Sequence, residues 1–422
     1  MKPERIVHLG LGAFFRAHQA FYTQRSSDAE QWGIVAYTGR SSEQADLLNS
    51  QDCKYTLITR DVSGDSFETI DSVVRAVPAS DLDDLVKTLA NPNIALVTLT
   101  ITEAGYQPSG SELSESALGR LLLGLKARFA TGAKIALVPC DNLPSNGLVL
   151  KSALKRLAQS EDQGFIEYLD SLSYVTTSID RITPKTTQAD IDLVFEKTGF
   201  RDRSPVVTEP FRDWVLEGEF PLGRPKWESA GARFVSEIEP FENRKLWLLN
   251  GAHTLMALFG TLRGHQSVDQ AIEDPEVLEE VNRFWDEAAS HLDEQLLEVV
   301  AYRKALLERF SNPRIGYQLS QIAQESLNKL SVRIAPVALL ELKAGRIPQG
   351  AVTAIASWIW FVANTSELKD SRAQEIRSAN GDLELIALVS GELAENQDFV
   401  AGVINTANQF KSLQTQSVGS AR

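Results

Sequence analysis

Apolar and polar positions in the first half of the chain divide it into two kinds of segment. Short, continuously apolar runs rich in β-branched residues stand near residues 5–9, 32–38 (WGIVAYT), 93–101 (NIALVTLTI), 134–140 (KIALVPC) and 174–179 (YVTTSI). Helix-patterned stretches, such as 14–26, lie before or between them. Strands buried on both faces read as such runs, so the pattern predicts a parallel sheet covered by helices on both sides, a doubly wound α/β arrangement. After ARFVSEIEP (232–240) strand signals nearly vanish, and 242–262, 274–310, 317–345 and 349–363 carry helical periodicity. The second half is therefore expected to be all-α, with a boundary near 235 and domains of 1–235 and 236–422. No internal repeat is visible, and low complexity is confined to a polar tail after about 411.

Composition agrees with a soluble two-domain enzyme. A chain of 422 residues exceeds the size at which one hydrophobic core keeps growing. Its 43% hydrophobic and 23% charged content is ordinary for a globular protein. A formal net charge of −14 with no basic run argues against nucleic acid or an anionic membrane surface as partner. No apolar run approaches the roughly 18 residues of a membrane span, and MKPER leads into IVHLG without a secretory signal. Two cysteines, Cys53 and Cys140, exclude a disulfide framework. The expected location is the cytoplasm.

The stretch IVHLGLGAFFRAHQAFY places Gly10 and Gly12 at the end of the first strand, with Ala13 and Phe14 opening a helix. A dinucleotide fold needs this arrangement, because glycines let backbone approach the pyrophosphate and the helix N terminus offers its N–H groups. Arg16, in the first turn, is expected to add charge toward the phosphates. Phe15 stands where the third glycine of the usual fingerprint belongs, so an ordinary tight strand-to-helix turn stays open as the other reading. After the second strand come Gly39, Arg40, Ser41 and Ser42, with an acidic residue only at Glu43. That composition leans toward a ribose 2′-phosphate. Solvent exposure of Arg40, or stacking on adenine, is the plainer alternative.

The segment KLWLLNGAHT (245–254) sets a lysine, an asparagine and a histidine in an otherwise apolar helix. Burying such groups unpaired costs about 1–3 kcal/mol apiece, so they are either satisfied or used. At about 100° per residue, Lys245, Glu242, His253 and Asn250 fall at roughly 0°, 60°, 80° and 140° around an α-helix, a polar side consistent with a cleft wall. A lysine against apolar surface loses hydration, which moves its pKa toward the range where it can take a proton from an alcohol; a buried hydrogen-bonded network is the other reading. The loop VPCDNLPSNG follows a strand at the edge where open α/β sheets bind ligands, and its Asn142 can donate to a developing alkoxide, although Asn, Pro, Ser and Gly also punctuate ordinary turns.

GLGAFFRAHQA, TITEAGY, CDNLPSNG, IDRITP, EPFRDWVLEGEFPLGRPKWESAGARFV, KLWLLNGAH and RFSNPRI, in this order from residue 6 to about 345, together resemble the long-chain mannitol dehydrogenase family. That resemblance implies an N-terminal Rossmann-type domain, a mainly helical C-terminal substrate and catalytic domain, and metal-independent hydride transfer between NAD, with NADP possible, and a secondary alcohol of a sugar alcohol or sugar acid. It makes Lys245 the general acid/base, Asn142 and Asn250 the oxyanion donors and His253 a substrate-positioning group. Glu242 matches a glutamate linked to proton exchange with water, while Asp180, Lys329 and Gln321 correspond to substrate-pocket positions. Phe15 and Gln321 depart from the residues common in mannitol-type members, His and Arg; Gln321 is closer to the fructuronate reductase pattern.

Rival chemistries are weaker. Two cysteines and five scattered histidines form no metal-spaced set, and none of the eight tyrosines has a lysine four positions later, as a tyrosine-lysine dehydrogenase requires. A β-hydroxyacid-type dehydrogenase and a non-catalytic dinucleotide sensor complete the alternatives. The expected partner is a small sugar substrate, with the protein a monomer or small homo-oligomer.

Overall fold

The computed structural model describes residues 2–107 and 112–419, with side chains through 412. The chain forms two compact units, Met1–Glu239 and Pro240–Arg422.

In the first unit, six parallel strands run through Glu4–Leu9, Gly33–Tyr37, Val73–Val77, Leu96–Leu99, Ala136–Pro139 and Ser173–Tyr174. Numbered one to six in chain order, they lie side by side as three-two-one-four-five-six, the Rossmann order. Side chains alternate across the sheet, so each strand feeds two cores. Ile6, Ile34, Ala36 and Leu96 face Phe15, Trp214 and Trp227 on one side, whereas Val7, Leu9, Val35, Tyr37, Val97 and Leu99 face Leu121, Leu125 and Leu150 on the other. Burial on both faces is the reason these strands read as unbroken apolar runs.

Several elements differ from the sequence expectation. The run at 174–179 splits: Ser173–Tyr174 ends the parallel sheet, and Thr176–Asp180 joins Asp213–Glu217 and Arg233–Phe234 in a separate three-stranded sheet. A hairpin of Tyr55–Asp61 and Gly64–Ile70, extended by Val206–Thr208, escapes notice because much of its second strand faces solvent and carries little apolar signal. The helix expected over 14–26 is two helices, Ala13–Ala17 and Gln19–Arg25, separated at His18 with φ −118° and ψ −88°.

In the second unit the described residues are helical apart from loops and one isolated bridge between Ser267 and Gln318. The long helical segments of the sequence pattern are interrupted. Within 274–310, Pro275–Ala289 and Val299–Phe310 flank Glu294–Leu297, with Glu298 at φ +50°. Within 317–345, Ser326–Arg333 follows Glu325 at φ +52°, and Ala335–Lys343 restarts with proline in its first turn, where the missing N–H costs nothing. The polar tail is the end of a helix, Gln397–Gly419, whose apolar stripe of Phe399, Val403 and Ala407 is buried; residues beyond 419 lie outside the described residues.

The lysine segment packs closely. Trp285 donates its indole N–H to the Leu248 carbonyl at 2.7 Å, and a Cβ on Gly251 would sit 2.4 Å from the Phe284 ring. Glycine at 251 is thus set by the approach of the helix Pro275–Ala289.

Candidate active site

The turn after strand one is built by steric necessity. Gly10 N–H and Leu11 N–H both donate to the Tyr37 carbonyl, at 3.0 and 2.9 Å, which ties the turn to the end of strand two. Gly10 has φ +110°, and a Cβ there would lie 2.2 Å from the Thr100 carbonyl oxygen, so only glycine fits. Gly12 is different: its Cβ would meet only the Gly10 carbonyl, at 3.6 Å. The protein itself leaves space over Gly12, which is what a dinucleotide lying on this turn requires. Ala13 and Phe14 are partly buried on the flank of the core, with Phe14 stacked on His18 at 5.2 Å between ring centroids. Phe15 explains the incomplete fingerprint. Its ring lies flat on His8, 3.5 Å away with 9° between planes, filling the helix-to-strand gap that the third glycine usually closes. Burial lowers the His8 pKa to about 3, so it is a neutral ring bonded to Thr98 and Thr100.

Arg16 does not have the expected role. Its side chain is buried, with Nη1 donating to the Ser204 carbonyl at 2.5 Å and to Ser204 Oγ at 3.0 Å, and Nε donating to the Gly12 carbonyl at 3.3 Å. The guanidinium bolts the turn to the segment before Val206 instead of reaching toward phosphate. Arg40 and Ser41 are exposed past strand two; Ser41 Oγ accepts from the Glu43 N–H at 3.1 Å, and the first carboxylate opens the helix Glu43–Asn49.

Beyond strands four and five, two loops are fastened together. Asp141 accepts from the Ile101 N–H at 2.6 Å and from the Tyr106 hydroxyl, and burial raises its pKa to about 7. Asn146 is a bracket: its amide nitrogen donates to the carbonyls of Asp141 and Thr177 at 3.1 and 2.9 Å, and its oxygen accepts from the Thr177 N–H. Asn142, next to Asp141, is exposed on this fixed loop. Asp180 is buried at the end of Thr176–Asp180.

In the second unit, the helix after Glu239–Arg244 changes period. Lys245–Gly251 is a π-helix, Ala252–Leu255 returns to α, and Met256–Gly260 is π again. Hydrogen bonding from i to i+5 widens the turn, so residues five apart lie closer around the axis than in an α-helix. Lys245 and Asn250 are five apart. The angle between them is therefore smaller than the α-helical estimate of about 140°, and both stay on the polar side of the helix. Lys245, Asn250 and Glu242 are partly buried, while His253 is buried against Phe310 and Tyr317, at 4.8 and 5.5 Å between ring centroids. Lys329 donates to the carbonyls of Ile322 and Gln324 at 2.8 and 2.6 Å, and burial lowers its pKa to about 8. Gln321 is exposed on the short helix Leu319–Ile322. Among the described residues no group of three or more His, Cys, Asp or Glu side chains converges as a metal site.

Residues 4–229 match the model of the mannitol dehydrogenase Rossmann domain, and residues 237–415 match that of the mannitol dehydrogenase C-terminal domain. The chain belongs to the mannitol dehydrogenase family. It is an NAD(P)-dependent dehydrogenase acting on a CH–OH group. D-mannonate oxidoreductase of Escherichia coli K12 is 30% identical over 452 residues, covering 96% of this chain and 93% of that protein. Substrate-free D-sorbitol dehydrogenase superposes with a TM-score of 0.89 at 26% identity, over 97% of this chain and 93% of that one. Pseudomonas fluorescens mannitol 2-dehydrogenase, in a ternary complex with NAD and D-mannitol, gives 0.81 at 28% identity, over 99% and 93%. Among the described residues no helix is long and apolar enough to cross a membrane.

Within this mannitol dehydrogenase fold, the first unit holds Gly10, Gly12, Arg40, Asn142 and Asp180, and the second holds Glu242, Lys245, Asn250, His253, Gln321 and Lys329. Sequence reasoning missed Tyr317, Arg333 and the Asp141–Tyr106 clasp. The clasp joins TITEAGY to CDNLPSNG, and Arg333 stands four residues after Lys329 on one helix face; nothing local marks Tyr317.

Proposed function

We propose that this chain interconverts a sugar alcohol or aldonate with its ketose or ketouronate, with Lys245 as general acid/base. The dinucleotide, held over Gly10 and Gly12, supplies the hydride acceptor or donor. In the oxidative direction the amine of Lys245 takes the hydroxyl proton while the carbinol carbon loses hydride; in reduction it returns that proton. Asn142 and Asn250 hold the oxygen as charge develops on it, a role worth about 2.7–4 kcal/mol per donor. His253 holds a neighbouring hydroxyl, its ring fixed by Phe310 and Tyr317. Glu242, one α-helical turn before Lys245, passes the proton on to water. Asp180, Lys329 and Gln321 contact the rest of the sugar.

The observation that carries this reading is the π-helical turn Lys245–Gly251. A π-turn supports the reading because it narrows the angle between the proposed base and a proposed oxyanion donor five residues on, and segments of this kind are uncommon and concentrate at functional sites. In an α-helix the two groups would stand about 140° apart, at opposite edges of the polar side. NAD is the expected cofactor and NADP the alternative, because Arg40 and Ser41 follow strand two where NAD sites place an acid. Absorbance at 340 nm, followed with NADH or NADPH and a panel of fructose, fructuronate and tagaturonate, tests the proposal. Oxidation of the dinucleotide by at least one acceptor is expected; a cofactor-binding protein inert toward all three would overturn it.

A further inference from the structure

Arg333 is a partly buried cation that, among the described residues, has only neutral hydrogen-bond partners. Its Nη1 donates to the Asn250 carbonyl at 3.3 Å and to Thr254 Oγ1 at 3.2 Å, so the guanidinium lies against the helix that carries Lys245, Asn250 and His253. Nε is buried and meets no acceptor among the described residues. The electrostatic neighbour of Arg333 is the Tyr317 phenol, and burial lowers its own pKa to about 10. That phenol feels both Arg333 and Arg309, and its ring stands edge-on to His253, 5.5 Å between centroids. One turn earlier on the helix Ser326–Arg333 is Lys329, whose ammonium is held by two backbone carbonyls. The carboxylates nearest Lys329 are engaged elsewhere: Glu325 accepts from Ser371, and Asp370 accepts from the Leu327 and Arg372 N–H groups.

Two cations one turn apart repel each other, and a guanidinium partly withdrawn from water, with its Nε buried and only neutral acceptors for the rest, keeps part of its desolvation cost. A pure packing role is filled as well by an uncharged side chain that donates to Asn250. A planar fork of N–H donors, by contrast, matches a carboxylate better than it matches hydroxyl groups.

We propose that Arg333, supported by Lys329, recognises a carboxylate on the substrate, so that the acidic sugars, aldonates and their ketouronates, are the preferred substrates over neutral polyols and ketoses. The inference rests on the reading that the Lys245 helix is the reaction site and narrows its substrate class.

The test is the ratio of kcat/KM for fructuronate to that for fructose with the intact protein and its better dinucleotide. The wild-type ratio is expected to exceed about 100, and Arg333→Gln should lower the ratio at least tenfold, chiefly through KM for fructuronate. Arg333→Lys, which keeps charge but not the fork, should fall between the two. A wild-type preference for fructose, or an Arg333→Gln ratio equal to wild type, overturns the inference while leaving the dehydrogenase assignment standing. Absence of turnover with every acceptor overturns both. The wild-type ratio needs no variant, so a poorly folding substitution does not remove the test.

Discussion

The glycine turn and the lysine helix reach their geometry by opposite routes. At Gly10 the backbone is dictated by what surrounds it: positive φ, a carbonyl 2.2 Å from any Cβ, and two N–H groups locked onto Tyr37. At Lys245 no single neighbour dictates the conformation. The π-turn is held by a distributed set of contacts, among them the Trp285 donation to Leu248, the Arg333 donation to Asn250 and the approach of Phe284 to Gly251. A sterically forced site tolerates no substitution but carries no reacting group. A distributed one can present an amine, an amide and an imidazole together, because several neighbours share the cost of the irregular backbone.

The sharpest way to break this contrast is Lys245→Ala. If the amine reacts and does not stabilise, turnover falls by about 10²–10⁴ while dinucleotide affinity and melting temperature stay near wild type. Stopped assays at 340 nm with parallel cofactor titration separate these. Turnover within tenfold of wild type would remove Lys245 as the base.

Gly10→Ala attacks the other side. The added methyl meets backbone oxygen, not a flexible tip, so a loss on the order of 3 kcal/mol in stability is expected along with weakened dinucleotide binding. Gly12→Ala, with its nearest contact at 3.6 Å, should retain the melting temperature and still weaken the cofactor. Equal melting temperatures for the two variants would show that the Thr100 carbonyl is not the constraint.

These two regions also divide what the sequence discloses. Gly-x-Gly after an apolar run is a local signal, because the steric demand is written in the residue that meets it. The unbroken runs at Ile6–Leu9, Ile34–Tyr37 and Leu96–Leu99 disclose the parallel sheet for a similar reason: burial on both faces leaves no polar position. The lysine segment is legible as polar groups in an apolar helix, yet its period is not, since the π-turn depends on Trp285, Phe284 and Arg333 from distant parts of the chain. Arg16 fails as a phosphate ligand because its partner, Ser204, is 188 residues away, beyond any local pattern. Strand Val73–Val77 and the hairpin at 55–70 went unread because their apolar faces are short or half-exposed.

A gentler probe tests how the second unit supports its helix. Glu287 caps the helix Gln349–Asn364, accepting from the Gly350 and Ala351 N–H groups at 2.6 and 3.2 Å, and burial raises its pKa from 4.5 to about 7 despite those donors. The folded pKa lies above the unfolded one, so the neutral acid is favoured on folding. Its contribution is fully present below about pH 4.5 and is lost as pH rises through about 7. The loss is on the order of 3 kcal/mol at most, after which the ionised carboxylate remains buried. Melting curves across this window should fall for wild type and flatten for Glu287→Gln, which keeps an acceptor oxygen without a charge. Parallel curves for the two proteins would place the pH sensitivity elsewhere.

The smallest effect belongs to Arg40, which is exposed past strand two and so interacts through solvent. If it faces a 2′-phosphate, Arg40→Ala should weaken NADPH by about fivefold, with NADH nearly unaffected. Added salt screens an exposed ion pair, so the difference should shrink as ionic strength is raised. If Arg40 instead stacks on adenine, both dinucleotides weaken alike and salt changes neither ratio. The two outcomes differ in whether salt matters at all as well as in size. Binding titrations at two ionic strengths therefore decide whether the first unit, rigid at Gly10, retains an adjustable contact one strand away.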